Sequence, residues 1–389
     1  MKIELSKSQQ VALDSIIKWF ENPVKKFITL GGYAGTGKTT LTCEVSRVLR
    51  DKHKLLKIAY CSFTGKATRV LGQKLKEANA INLGDSLSTI HKLIYTPIID
   101  AEDEIIGWER QSKSSFDYNL IIVDEASMIS ESIWKDLLSY NIPILAIGDH
   151  GQLPPIEGSF NLMRNPELKL EEIHRQDQDN PIIELSAQVR ETGTIEFGSY
   201  GKSVAKLDRR DPETQELISE LFRSFNEEML VLTGFNHTRV KLNMAIRNLL
   251  EFDSAEPRPG DRTICLKNNH KLHIYNGMMG TILSLDLVSN QKDPDYYKAL
   301  INLDGEDRAY SGNIIAKQFG SKELVYHKEA KGFDLFDFGY ALTVHKAQGS
   351  QADTVVLFEE RSQHADESTW KRWLYTGITR AVSRLYIVA

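Results

Sequence analysis

Cysteine is scarce in this 389-residue chain: Cys43, Cys61 and Cys265 stand far apart, without paired metal-ligand spacing and too few for a disulfide framework at this length. A reducing, cytoplasmic setting is expected. No apolar run approaches the roughly 18 residues that a membrane span requires, and nothing near the N-terminus reads as a signal peptide, so no membrane role is expected. A basic excess is also missing, since 48 Lys and Arg stand against 53 Asp and Glu, for a net charge of −5. Such a chain does not coat nucleic acid through a uniformly basic surface; any contact must be local, in a groove. Internal repeats and low-complexity tracts are absent. What remains is 41% hydrophobic content in a length that calls for two or three domains.

Short apolar runs at 27–30, 56–60, 120–123 and 144–147 alternate with helical patterns at 9–20 and 39–50. They read as buried parallel strands in a doubly wound α/β layer covering residues 1–91 and 117–165. Residues 92–116 break the pattern: two apolar pairs around an acidic turn at 100–104 predict an inserted hairpin. Strands at 229–233, 354–358 and 385–388 predict a second α/β lobe from 166–256 and 332–389. Between them, 257–331 is rich in Gly, Pro, Asn and Asp, with short strands at 263–266, 280–287 and 297–303, and is expected to form a small inserted β-barrel.

Gly32-Tyr-Ala-Gly-Thr-Gly37-Lys38-Thr39 matches the phosphate loop of P-loop proteins, with an apolar strand before it and a helix after it. Gly35 and Gly37 let backbone N–H groups wrap phosphate, Lys38 reaches the outer phosphates, and the Thr39 hydroxyl ligates Mg²⁺. Thr36 and Thr40 complete the expected nucleotide contacts. At the end of an apolar strand, Asp124 and Glu125 suit a metal-holding carboxylate and a water-orienting one. An Asp-Glu pair is ordinarily a solvated turn, but here the strand delivers it to the sheet edge where ligands bind. ATP and Mg²⁺ are the expected cofactors. Gln152, in Gly148-Asp149-His150-Gly151-Gln152-Leu153-Pro154-Pro155, is an uncharged donor and acceptor suited to sensing phosphate; a proline-rich loop is the plain alternative.

That segment resembles motif III of superfamily 1 helicases, and further segments resemble the other motifs of that superfamily in its order. Leu5-Ser-Lys-Ser-Gln9 is similar to the Q motif, Ser62-Phe-Thr64-Gly-Lys66-Ala67 to motif Ia, and Ser88-Thr89-Ile-His91 to motif Ib. Leu170-Glu-Glu-Ile-His174-Arg175-Gln176 is similar to motif IV, the segment from Gly339 through Thr343, His345, Lys346 and Gln348 to Ser350 to motif V, and Tyr375-Thr376-Gly-Ile-Thr379-Arg380-Ala381 to motif VI. The wording is most similar to the RecD-like and Dda-like 5′–3′ branch. The resemblance implies two RecA-like P-loop domains, a hairpin insertion in the first and an SH3-like barrel insertion in the second. It implies an ATP-dependent 5′–3′ helicase in which Gln9 contacts adenine, Gln152 senses the γ-phosphate, and Arg175 and Arg380 reach it from the second lobe. His174 falls where an aromatic often stacks on adenine, and Gln351 where a Glu often holds the ribose. For Arg380 alone, a surface salt bridge is the commoner fate.

Tracking a single strand needs hydroxyls, amides, a few cations and aromatic faces. The candidates are Phe63, Thr64, Lys66, His91, Thr233, Asn236, Thr343, His345 and Lys346; Phe63 also suits a core and His91 a helix end. The hairpin at 98–106 stands where related helicases carry a strand-separating pin, with Trp108 at its base. Asn276-Gly277 reads as a hairpin turn. The expected partners are single-stranded and forked or duplex DNA, bound by a monomer, with protein partners unassigned. Two other readings remain: a nucleotide-switched single-strand binder that does not unwind, and a P-loop nucleotide transferase.

Overall fold

The computed structural model describes residues 5–99, 105–154, 160–172, 180–267, 269, 272, 274, 276–289, 294–304, 306, 309–325 and 332–389. The chain divides into two compact units, residues 1–96 with 109–191, and 97–108 with 192–389.

The first unit is built on six parallel strands: β1 (Phe27–Gly32), β2 (Ile58–Ser62), β3 (Ser86–Thr89), β6 (Leu120–Asp124), β7 (Ile144–Gly148) and β8 (Leu168–Leu170). Their order is β3-β2-β6-β7-β1-β8. Side chains alternate between faces. Leu30, Ile58, Ile122 and Leu145 pack under α1 (Lys7–Glu21), α2 (Lys38–Lys52) and α3 (Gly65–Glu77). Ala59, Ile121, Val123 and Ala146 meet α4 (Ile90–Ile94) and α5 (Glu131–Ser139) on the other face. With both faces covered, the inner strands β2, β6 and β7 carry almost no polar residue until their ends. A two-stranded sheet of β4 (Tyr95–Ile99) and β5 (Ile105–Arg110) occupies the predicted hairpin; the turn at 100–104 and the Trp108 side chain lie outside the described residues.

The expected boundary at 165 is corrected by β8, which pairs with β1 from Leu30↔Leu168 to Gly32↔Leu170, and by α6 (Pro181–Thr192), which follows it. A three-residue strand is too short to show a period, so the return of helical pattern was the only signal there. The first unit extends to Glu191, and it is the second that claims residues 97–108, not the first as expected.

In the second unit, β9 (Gly198–Tyr200), β10 (Val204–Leu207), β11 (Met229–Thr233), β17 (Ala341–Thr343), β18 (Ala352–Phe358) and β19 (Ala381–Val388) follow the order β17-β11-β18-β19-β10-β9. Only edge strand β9 runs antiparallel. The helices α7 (Pro212–Arg223), α8 (Asn236–Leu249) and α9 (Glu367–Ile378) complete the unit. The insertion is an antiparallel sheet of β12 (Arg262–Cys265), β13 (Met279–Val288), β14 (Tyr296–Leu303), β15 (Tyr310–Ile315) and β16 (Phe336–Phe338), ordered β15-β14-β13-β12-β16. An isolated bridge between Ile314 and Asp334 links β15 to the residues that lead into β16.

One buried ion pair ties this insertion to the lobe. Arg247 on α8 donates to both carboxylate oxygens of Asp261 at 2.8 and 3.0 Å and to the carbonyls of Ser254 and Glu256. Asp261 also accepts from the Tyr340 hydroxyl and the Arg258 N–H, both at 2.8 Å. Both side chains are fully buried, so removing one strands the other without water. Asp261→Ala is expected to destabilise the second unit by about 3–5 kcal/mol. Hydrogen exchange should show protection lost in β11, β17 and β18 but retained in β2, β6 and β7.

Candidate nucleotide site and nucleic-acid interface

The phosphate loop leaves β1 at Gly32 and enters α2 at Lys38. Gly35 and Gly37 take φ of +76° and +74°, the left-handed region that glycine occupies without steric cost. A Cβ on Gly32 would stand 2.7 Å from Thr36 Oγ1 and 2.9 Å from Lys38 Cγ, so glycine is needed for the loop to close. Gly37 caps α2 with no side-chain hydrogen bond, leaving the first-turn N–H groups and the helix dipole directed at an anion position. The Lys38 ammonium folds back on its own loop, donating to the Gly32 and Tyr33 carbonyls at 2.8 and 2.9 Å. Thr39 and Thr40 follow in the first turn of α2.

Gln9 sits beneath the loop, almost fully buried. Its Nε2 donates to the Thr36 carbonyl at 3.1 Å and its Oε1 accepts from Ser6 N–H in the capping box of α1. It braces the loop from the helix. Tyr33 meets a cation and a ring: the Arg190 guanidinium stands 3.3 Å from its ring centre and the His150 ring 4.2 Å. Arg190 escaped the sequence reading because a helical arginine carries no signal of what it covers.

Asp124 ends β6 on the α2 face, continuing the alternation of Leu120 and Ile122. Burial raises its carboxyl above the usual range, opposed by the Glu125 N–H, which donates to Oδ1 at 2.9 Å, and by Lys38. Glu125 adopts φ +53°, a conformation an L-residue rarely takes and one found at functional turns. At the end of β7, Asp149 accepts from Gly151 N–H (2.9 Å) and from Gln152 Nε2 (3.3 Å), which fixes the Gln152 turn. Burial lowers the His150 imidazole below its ordinary value, opposed by the Asp149 charge. Thus Lys38, Thr39, Asp124, Glu125 and Gln152 all stand at carboxyl ends of strands in one sheet. Among the described residues no three His, Cys, Asp or Glu form an all-protein metal cage. The desolvated Asp124 carboxyl and the Thr39 hydroxyl are hard oxygen donors, and that donor set fits Mg²⁺ held jointly with phosphates.

In the second unit Arg380 is buried, and the surface salt-bridge alternative is excluded. Its Nε donates to Thr376 O at 3.0 Å, Nη1 to Ser350 O at 3.1 Å and Nη2 to Thr379 Oγ1 at 3.2 Å. It pairs with no carboxylate among the described residues. His174 and Arg175 lie outside the described residues; strand and helix on either side of them belong to the first unit, not to the second lobe as expected. Gln351 is exposed at the entrance to β18.

The expected DNA contacts fare unevenly. The Thr64 hydroxyl is the N-cap of α3, accepting from Ala67 N–H at 3.2 Å, and Lys66 lies in that helix with its side chain outside the description. Phe63 is half-buried edge-on to His91, which is itself buried, so both serve the core. Thr233 is fully buried and donates to Glu360, which corrects its placement in a groove. Thr343 ends β17 beside it, in register Thr233↔Thr343. Burial lowers both His345 and Lys346. The Lys346 ammonium donates to Asn276 Oδ1 at 2.8 Å in the Asn276-Gly277 turn, where Gly277 takes φ +92°. Asn236 is exposed at the start of α8.

An AAA domain family model matches residues 19–157 and a UvrD-like helicase C-terminal domain model residues 338–388. The ATP-dependent RecD2 DNA helicase of Deinococcus radiodurans is 28% identical over 98% of this chain and 48% of its own. The chain therefore spans about half the length of that relative, and 38% of a Methanocaldococcus jannaschii one. Uncharacterized protein R530 of Acanthamoeba polyphaga mimivirus is 31% identical over 97% of this chain and 98% of its own. The ATP-dependent DNA helicase dda of Enterobacteria phage T4 is 24% identical over 97% of each. In fold, the chain is similar to the Pif1 helicase from Bacteroides in complex with ADP-AlF3 and ssDNA, at a TM-score of 0.52 and 16% identity over 99% of this chain and 92% of that one. The likeness runs from the phosphate loop to the last strand: the chain carries a match to the AAA domain and to the UvrD-like helicase C-terminal domain, and along its length it is similar to the RecD2 and dda DNA helicases.

Proposed function

We propose that the chain is a DNA-stimulated ATP hydrolase that translocates 5′ to 3′ on single-stranded DNA and separates duplex at a fork. The observation that carries this reading is the division of chemistry between the units: Lys38, Asp124 and Glu125 on the first, and on the second a buried arginine without a carboxylate. A guanidinium so placed is stabilised when an anion comes to it, and the anion available in this reading is the γ-phosphate. Binding of Mg-ATP therefore favours closure of the lobes, and hydrolysis releases them.

In that closed state the α2 N-terminus and Lys38 hold the β- and γ-phosphates, with the ammonium exchanging the Gly32 and Tyr33 carbonyls for phosphate oxygens. Thr39 and Asp124 would hold a magnesium ion, which would supply positive charge against the phosphates. Glu125 orients the attacking water and accepts its proton. Gln152, tethered to Asp149, senses the γ-phosphate from the end of β7.

Lys38→Ala is expected to abolish hydrolysis. Glu125→Gln should retain nucleotide binding and lower kcat by about 10²–10⁴-fold; normal turnover would remove it from the water-orienting role. Arg380→Ala should lower DNA-stimulated kcat by about 10³–10⁵-fold while ATP binding to the first unit persists, as seen by equilibrium titration. Polarity is tested on forks with one tail: unwinding from a 5′ tail is expected, and unwinding from a 3′ tail alone reverses the assignment. Translocation with no strand separation would instead mark a nucleotide-switched single-strand binder.

A further inference from the structure

The loop from β11 into α8 is held from below by one carboxylate. Glu360, two residues past β18, accepts from Thr233 Oγ1 (2.5 Å), Gly234 N–H (3.0 Å) and Phe235 N–H (3.1 Å) through Oε2, and from Thr238 Oγ1 (2.6 Å) through Oε1. A Cβ on Gly234 would stand 2.7 Å from the Glu360 carbonyl, so the loop lies tight against that backbone. Arg239 on the next turn is anchored to the buried Asp337 at 2.6 Å and touches Asn236 Oδ1 at 3.3 Å. The segment is therefore stiff.

What this stiff segment presents outward is aromatic. The rings of Phe235 and His237 stack with centres 5.3 Å apart and planes only 13° from parallel. His237 is exposed and Phe235 partly so. A ring pair fixed at the carboxyl edge of a parallel sheet, where such folds bind ligands, offers a flat π-face to solvent. Beside it, Val344 N–H donates to the Thr233 carbonyl, so the loop that carries His345 and Lys346 runs alongside. Lys346 pairs with no carboxylate among the described residues. Aromatic faces with a lysine-bearing loop alongside are the chemistry that bases and backbone phosphates of a single strand require.

We propose that Phe235 and His237 form a platform on which a nucleobase of single-stranded DNA stacks, replacing Thr233 as the contact this loop makes. The proposal rests on the single-strand reading above. The Thr233 hydroxyl is spent on Glu360, whereas the ring pair needs no rearrangement to meet a base.

The test compares a labelled oligothymidylate with an abasic strand of equal length, bound to the full chain. Wild type should bind the abasic strand more weakly. Phe235→Ala and His237→Ala should each weaken oligothymidylate binding about tenfold, as loss of one base stack predicts, and should shrink the gap between the two strands. The slope of log affinity against log salt should stay at the wild-type value, because no phosphate contact is removed. Phe235→Tyr should restore affinity, which separates stacking from a folding defect. Equal affinity of wild type for both strands, or variants whose loss is the same on both, would overturn the platform alone. Failure of wild type to bind either strand would overturn the single-strand reading with it.

Discussion

A parallel sheet covered by helices on both faces can show polar groups only where its strands end. That constraint governs both units. In the first, β1, β6 and β7 are apolar along their length and release, at their carboxyl ends, the phosphate loop, the Asp124-Glu125 pair and the Asp149–Gln152 turn. In the second, β11, β17 and β18 release the Phe235 loop, the His345-Lys346 loop and Glu360. Chemistry gathers at these edges because the interior offers charged groups no place without partners.

The ions held by the fold show two different solutions to that cost. Half-buried Glu360 and buried Asp261 are each surrounded by donors and are finished within the fold. Arg380 is not: carbonyls and one hydroxyl orient it but contribute no opposite charge. A satisfied ion holds shape, whereas an oriented but uncompensated one is ready to respond to a ligand.

Much of this could be read from the chain. The strand expected at 229–233 is β11 to the residue, because five apolar residues bounded by polar ones leave little choice, and the phosphate loop declared itself through spacing and flanking elements. Hydroxyls are less legible. By residue type Thr64 and Thr233 suit DNA contacts; in the fold one caps the helix it begins and the other donates to a carboxylate 127 residues away. Residue type announces what a group can do; only the fold determines which partner reaches it first. The same limit hid Arg190, Glu360 and the short β8, none of which leaves a periodic trace.

The Arg247–Asp261 pair has a consequence for how the inserted barrel evolves and folds. Its acid comes from the insertion's threshold and its base from the last turn of a lobe helix, so the insertion is not a detachable module. Excising it would remove both the carboxylate and the Phe338 ring that the Arg247 guanidinium rests against. Barrel and lobe are therefore bound to mature together, and sequence drift in one is answerable to the other.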